Sequence, residues 1–106
     1  MTAFIDLEIL SPKIRKHPDT DRYILFWCPG CRAAHQIQVS GPNSWVWNGD
    51  PHNTTLQPSV LVSGEGGVCH SFVTNGHIHF LGDSTHGMAG RTTNLGDWPP
   101  HLTPTD

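Results

Sequence analysis

The pattern of hydrophobic and polar positions along the chain predicts short strands joined by turns. Residues 22–27, RYILFW, consist of one arginine and then a continuous run of aliphatic and aromatic side chains that leads directly into Cys28. Residues 35–39 then alternate between polar and apolar side chains. A buried strand followed by an alternating strand predicts a β-hairpin whose tip holds residues 28–31.

The clearest local feature is Asn75-Gly76, which stands between the alternating segments 68–73 and 77–81. Both residues accept the positive φ of a type I′ turn, so a second hairpin with a two-residue loop is predicted here. Opposite residues of a hairpin share a face. One face should hold Cys69, Ser71, Val73, Ile78 and Phe80, and the other His70, Phe72, His77, His79 and Leu81. Unless a bulge intervenes, Cys69 and His70 cannot bind the same ion.

The remaining segments are predicted from turn residues and short apolar runs. Strands are expected within residues 4–10, 44–48 and 59–63, and loops at 13–21 and 52–58. Gly82 and Asp83 are expected to cap a short helix over residues 84–89, which Gly90 would close.

The predicted fold is mainly β, either a small antiparallel sheet or a two-sheet fold of short strands, with a zinc-knuckle hairpin and one short helix. The 106 residues predict one domain, 1–106, with a core of about 22–98 and an extended, proline-rich tail at 99–106.

Charge and hydropathy argue against two classes of partner. A formal charge of −3 leaves no broad basic surface for a phosphate backbone, so nucleic acid is not expected as a ligand. The sequence has no apolar run long enough to span a membrane, and residues 1–10 carry Asp6 and Glu8 where a signal peptide would be apolar. A cytoplasmic protein is expected.

The cysteines indicate a metal site. Three cysteines are an odd number, and Cys28-Pro-Gly-Cys31 at a hairpin tip points two sulfurs at one spot, as a zinc knuckle does. Structural Zn²⁺ takes four ligands, so Cys69 is the expected third. His86 is the first choice for the fourth ligand, and His35, four residues after Cys31, is the alternative.

An ordered string of motifs resembles a known family. It comprises Cys28-Pro-Gly-Cys31 with His35, Trp45-Val-Trp-Asn-Gly-Asp50, Leu56-Gln-Pro-Ser59, Cys69-His-Ser-Phe-Val73 and Gly82-Asp-Ser-Thr-His86. The chain resembles small phage and prophage proteins that often carry the label "ammonia monooxygenase" in genome files, with relatives beside bacterial ubiquitin-like conjugation genes. The resemblance implies metal binding, phage origin and, for those relatives, a metal-dependent hydrolase role. Many relatives have cysteine where this chain has Ser84.

Two functions are compatible with these features, and the sequence favours the first, with the second as the alternative. In the first, a closed site of three cysteines and a histidine stiffens an accessory module that binds a phage or host protein, because thiolates weaken zinc as a Lewis acid. In the second, the protein is a zinc-dependent hydrolase of peptide or isopeptide bonds, with an open metal position and a nearby base. The candidates for that base are His70, Asp50, Asp83, Glu65 and His35, and His70 would need a bulge in its strand to reach a metal-bound water.

Overall fold

The computed structural model of the protein describes residues 7–100. The strands in this range are β1 (Glu8–Ile9), β2 (Ile14–Lys16), β3 (Tyr23–Cys28), β4 (Ala33–Gln38), β5 (Val46–Trp47), β6 (Leu56–Gly64), β7 (Gly67–Thr74), β8 (His77–Phe80) and β9 (Thr92–Asn94). They form two antiparallel sheets, one in the order β1-β2-β3-β4 and the other in the order β5-β6-β7-β8-β9. The mainly β, two-sheet prediction is confirmed.

The larger of the two hydrophobic clusters among residues 7–100 lies between the sheets. The first sheet contributes Ile14, Ile24, Phe26, Cys28 and Ile37, and the second contributes Leu56, Val60, Cys69, Val73, Ile78 and Phe80. Each sheet therefore buries one face against the other, which is how short strands hide enough apolar surface to fold.

Both predicted hairpins are present. β3 pairs with β4 up to Cys28 and Ala33, so the cysteine knuckle forms the tip. β7 pairs with β8 in the predicted register, with Thr74 opposite His77. Cys69 is buried on the core face, whereas Phe72, on the other face, is 46% exposed.

The predicted helix over residues 84–89 is wrong, because turns and bends occupy that segment. The Ser84 hydroxyl accepts a hydrogen bond from the backbone N–H of His70 at 3.0 Å, and the Thr85 N–H donates to the Val68 carbonyl at 2.8 Å. Hydrogen bonds to β7 thus take the place of the hydrogen bonds that a helix would form between its own turns.

Three strand predictions were incomplete. β2 lies inside the predicted loop 13–21, since Ile14 is fully buried and pairs with Phe26. β6 begins at Leu56, within the other predicted loop, and β9 was not predicted at all. In each case pairing with a distant strand overrides a polar or turn-rich local sequence.

Residues 1–6 and 101–106 lie outside the described residues, and with them the start of the strand predicted within 4–10 and the end of the predicted tail. Between residues 7 and 100 there is no helix of the length and apolarity needed to cross a membrane.

Candidate active site and metal-binding cluster

Three cysteines and one histidine converge between the two sheets. The ligand atoms of Cys28, Cys31, His35 and Cys69 all lie within 4.8 Å of one another. Cys28 ends β3, His35 stands on β4, and Cys69 comes from β7 of the other sheet. These residues form a possible metal-binding site that would join the two sheets.

The donor set fits a metal ion. The sulfurs of Cys28 and Cys69 are 3.8 Å apart, and two thiolates on a tetrahedral zinc with bonds of about 2.3 Å would be separated by about the same distance. The Cys31 N–H points at the Cys28 sulfur at 3.4 Å, as the tight turn of a knuckle requires. His35 Nε2 is buried and has no hydrogen-bond partner among the described residues. A metal bound at Nε2 would give this buried nitrogen the partner that it lacks among the described residues.

The electrostatics of the cluster agree with this fit. Burial raises the pKa of the Cys28 thiol, and burial followed by the neighbouring Cys28 raises that of Cys69. Burial and then the nearby His86 lower the pKa of His35, which keeps the imidazole neutral, the form that binds metal. A cation at the centre would supply the charge that buried thiolates need.

His86, the first-choice fourth ligand from the sequence, lies next to this cluster but outside the group of four. Its ring packs on Gly30, where a Cβ would stand 2.6 Å from His86 Nε2, so only glycine leaves room. The ring also meets Phe80 edge-on, with centroids 4.5 Å apart. Its Nδ1 accepts a hydrogen bond from the Met88 N–H at 3.2 Å, while Nε2 is buried and unpartnered within residues 7–100. Of the two candidate histidines, His35 is the one that the structure groups with the cysteines.

A second group of polar residues lies on the outer face of the second sheet, opposite the face that carries Cys69. Between Leu56 and Val60 the register of β6 against β7 shifts. Leu56 pairs with Val73 and Val60 with Ser71, so a bulge extends β6 at this point. Val60 is buried against the core, and Ser59, the residue before it, therefore points to the outer face.

Ser59, His70 and Asp83 are connected by hydrogen bonds on this outer face. Ser59 Oγ lies 3.0 Å from His70 Nε2. His70 Nδ1 lies 3.0 Å from Asp83 Oδ2 and 3.2 Å from Oδ1. The His70 side chain is 24% exposed, so the site is open at the surface while its polar atoms are paired.

The partners determine which nitrogen of His70 carries the proton. A carboxylate only accepts hydrogen bonds, so Nδ1–H donates to Asp83. Nε2 then accepts the hydrogen bond that the Ser59 hydroxyl donates. This is the order of a nucleophile, a general base and an orienting acid in a serine hydrolase.

The backbone around these residues is held on both sides. Ser84 Oγ accepts from the His70 N–H at 3.0 Å and donates to the His70 carbonyl at 3.1 Å. The Trp45 indole N–H donates to the Ser59 carbonyl at 3.2 Å. The base and the nucleophile are therefore fixed by their main chains as well as by their mutual hydrogen bond.

The catalytic candidates predicted from the sequence lie in different parts of the structure. The fold brings His70 and Asp83 together, whereas His35 is buried among the cysteines of the candidate metal site. Asp50 Oδ1 instead accepts backbone N–H bonds from His52 at 2.8 Å and Asn53 at 3.1 Å, and these bonds lower its pKa. Glu65 is exposed in the turn after β6.

Sequence reasoning missed Ser59. The serine has no G-x-S-x-G context, and the motif Leu56-Gln-Pro-Ser59 by itself indicates no role for it. Alternation in the predicted strand 59–63 could have placed Ser59 on the face opposite Val60, but only the pairing of β6 with β7 sets it against His70. The bulge that the zinc-hydrolase hypothesis needed at Cys69-His70 is absent from β7, whose partners on β6 run in step from Val60 to Gly64.

A scan against protein families matches residues 6–81 to the family described as bacterial ubiquitination-like system serine protease, BubE. The chain belongs to the BubE family. The match covers Ser59 and His70, and Asp83 lies just beyond it. Neither the comparison with curated proteins nor that with solved structures finds a match.

The BubE match accounts for the resemblance to relatives of bacterial ubiquitin-like conjugation operons. The family description names a serine protease, and the described residues contain a serine that is hydrogen-bonded to a histidine–aspartate pair. Phage origin stays a prediction.

Proposed function

We propose that this BubE family member is a serine protease whose nucleophile is Ser59, whose general base is His70 and whose orienting acid is Asp83. The observation that carries the proposal is the pair of 3.0 Å contacts that His70 makes, through Nε2 to Ser59 and through Nδ1 to Asp83. The hydrolase function considered from the sequence is kept, with serine in place of a metal-bound water as the nucleophile.

The geometry supports a double-displacement reaction. Ser59 Oγ attacks the carbonyl carbon of the scissile bond as its proton passes to His70 Nε2. The protonated Nε2 then gives this proton to the departing amine, and an ester of Ser59 remains. Water attacks the ester as it loses a proton to Nε2, and Nε2 then gives this proton to Ser59 Oγ as the acid product leaves. Asp83 holds the imidazole in the required tautomer and stabilises its charged form.

The substrate proposed is a peptide or isopeptide bond made in a bacterial ubiquitin-like conjugation system. The family description supports this class, because it names a ubiquitination-like system. The partner would then be a ubiquitin-like protein or its conjugate rather than a phage protein. His70 and Ser59 lie on an open sheet face, which a folded partner with an extended tail could approach.

A fluorophosphonate probe, which reacts with activated serines, tests the proposal. The probe should label Ser59, and Ser59→Ala and His70→Gln should each reduce labelling and ester hydrolysis by roughly 1000-fold or more. Ser63→Ala is the matched control, since Ser63 stands on the same strand without a histidine partner among residues 7–100. Mass spectrometry locates the adduct. Labelling that survives Ser59→Ala in folded protein would refute the assignment.

We also propose that the cluster of Cys28, Cys31, Cys69 and His35 holds a structural Zn²⁺. Three thiolates and one imidazole form a closed set for zinc and weaken it as a Lewis acid. Cys69 and His70 are neighbours on β7 and point to opposite faces, so the cluster lies behind the strand that carries the base. The ion would contribute stability, and Ser59, His70 and Asp83 would perform the chemistry.

A further inference from the structure

The strand that carries Ser59 has an open edge. β6 runs from Leu56 to Gly64, but its outer neighbour β5 pairs only with Leu56 and Gln57. Within residues 7–100, no strand pairs with that side of β6 beyond Gln57. The open edge therefore begins beside the nucleophile.

The hydrogen bonds of β7 show which groups this edge presents. His70 opposes Leu61, and the N–H and carbonyl of His70 bond to Ser84 Oγ and the Leu81 N–H, away from β6. Val68 opposes Ser63 and bonds in the same way to Thr85. In an antiparallel pair such residues are the non-hydrogen-bonded ones, so Leu61 and Ser63 direct their own N–H and carbonyl groups to the open edge.

These four groups find no partner in the described part of the chain. Two residues with unpaired donors and acceptors, spaced as in a strand ladder, form a template for an added strand. Ser59 precedes Leu61 by two residues, or about 6.6 Å along the strand.

The Leu61 side chain is apolar and yet exposed to solvent. Leu61 is 55% exposed on the outer face, opposite His70. A residue paired with Leu61 from an added strand would direct its side chain to the same face, because cross-strand neighbours share a face. An apolar residue there would cover Leu61.

We propose that the open edge of β6 binds the substrate as an extended peptide strand, hydrogen-bonded to the backbone of Leu61 and Ser63. The Leu61 side chain then selects an apolar residue about two positions from the scissile bond. The proposal rests on the protease function and names how that function recognises its substrate.

The test uses two kinds of substrate. The first is a library of capped, fluorogenic peptides, each of which must bind along the open edge of β6 to be cleaved. The second is p-nitrophenyl acetate, which is too small to contact that edge and therefore reports on Ser59 alone. Leu61→Pro removes the outward N–H and leaves the bonds of Val60 and Val62 to β7 intact. Leu61→Ala keeps that N–H and removes the apolar side chain, and Ile9→Ala, at a 45% exposed position of the other sheet, is the matched control.

Wild-type protein should prefer peptides with an apolar residue two positions from the cleaved bond. Leu61→Pro should lower kcat/KM for these peptides by at least about tenfold more than it lowers p-nitrophenyl acetate hydrolysis. Leu61→Ala should lose the apolar preference, and Ile9→Ala should retain it. Circular dichroism shows whether Leu61→Pro folds. If it does not, peptides N-methylated at the residue two positions from the cleaved bond should show the same loss of kcat/KM with wild-type protein.

Each of the following results would overturn the edge proposal while leaving Ser59 as the nucleophile. Wild-type protein could cleave N-methylated and unmethylated peptides equally well. Leu61→Ala could keep the apolar preference. Wild-type protein could hydrolyse p-nitrophenyl acetate and yet cleave no peptide of the library. A dimer that Leu61→Pro dissociates would assign the edge to a second copy of the chain instead. Failure of the protease function is distinct, because p-nitrophenyl acetate would then not be hydrolysed and Ser59 would not be labelled.

Discussion

At the scale of single residues, two aspartates that look equivalent in the sequence have different surroundings. Asp83 accepts a hydrogen bond from His70 Nδ1 at 3.0 Å, whereas Asp50 accepts backbone N–H bonds within its own turn. The first arrangement fixes an imidazole and the second fixes a loop. Their replacement should therefore affect different properties.

Asp83→Asn should lower kcat by between about 100-fold and 10 000-fold with KM nearly unchanged. An amide can donate to Nδ1 and so favour the tautomer in which Nε2–H faces Ser59, which removes the base. Because the Asp83 side chain is 59% exposed, water can partly substitute for it, and the lower end of this range is the closer expectation. Steady-state hydrolysis of p-nitrophenyl acetate measures the effect.

Asp50→Asn is the matched control and should keep full activity while it lowers the melting temperature. The hydrogen bonds from the His52 and Asn53 N–H groups lower the pKa of Asp50, so its contribution to stability is present above the usual Asp pKa. That contribution is lost as the pH falls through the lowered value. Loss of activity in Asp50→Asn with an unchanged melting temperature would contradict these roles.

At the scale of elements, the β7–β8 hairpin positions both sites. Consecutive residues of β7 point to opposite faces, so Cys69 joins the other cysteines and His35 while His70 contacts Ser59. The turn of this hairpin sets the register. A change of one residue in that register would exchange the two faces.

Gly76→Ala should lower the free energy of unfolding by about 1–2 kcal/mol, because Gly76 has a φ of +80°. A Cβ at Gly76 would also stand 3.2 Å from the His52 carbonyl oxygen. Gly87→Ala is the matched control, since it has neither a positive φ nor a neighbour within 4 Å. Urea denaturation measures both variants, and equal effects would contradict the assigned turn geometry.

At the scale of the whole molecule, the metal cluster would act as a cross-link. Cys28, Cys31 and His35 belong to the hairpin of the first sheet, and Cys69 to the second. Structural zinc contributes on the order of 10 kcal/mol in small domains, which is comparable to the whole stability of a typical domain. The association of the two sheets would thus depend on the ion.

We expect one zinc per chain, measured by elemental analysis of protein purified without chelator. Cys28→Ser, Cys31→Ser and Cys69→Ser should each lose the metal and fail to fold, because one less ligand removes most of that free energy. His77→Ala and His79→Ala are matched controls on exposed positions of β8 and should keep both metal and melting temperature. A folded, zinc-free wild type would contradict the structural role.

The same measurement separates the two candidate histidines. His35→Gln should lose zinc, because His35 lies within the group of four. His86→Gln should retain zinc, because His86 packs on Gly30 from outside that group. The opposite result would make His86 the fourth ligand.

The sequence by itself determined the parts of this protein that depend on neighbours along the chain. Asn75-Gly76 set the register of the second hairpin and hence the opposite orientations of Cys69 and His70. The apolar run before Cys28 placed the knuckle at a hairpin tip. Both follow from local rules, since turn chemistry and alternation act over a few residues.

Only the tertiary structure decided which distant residues meet. Ser59 acquires a role because a bulge in β6 and the pairing of β6 with β7 set it against His70. The segment 84–89 forms turns instead of a helix because Ser84 and Thr85 bond to β7. His35 joins the cysteines because two sheets pack on each other. Such contacts depend on sheet pairing and packing across the chain, which no local pattern specifies.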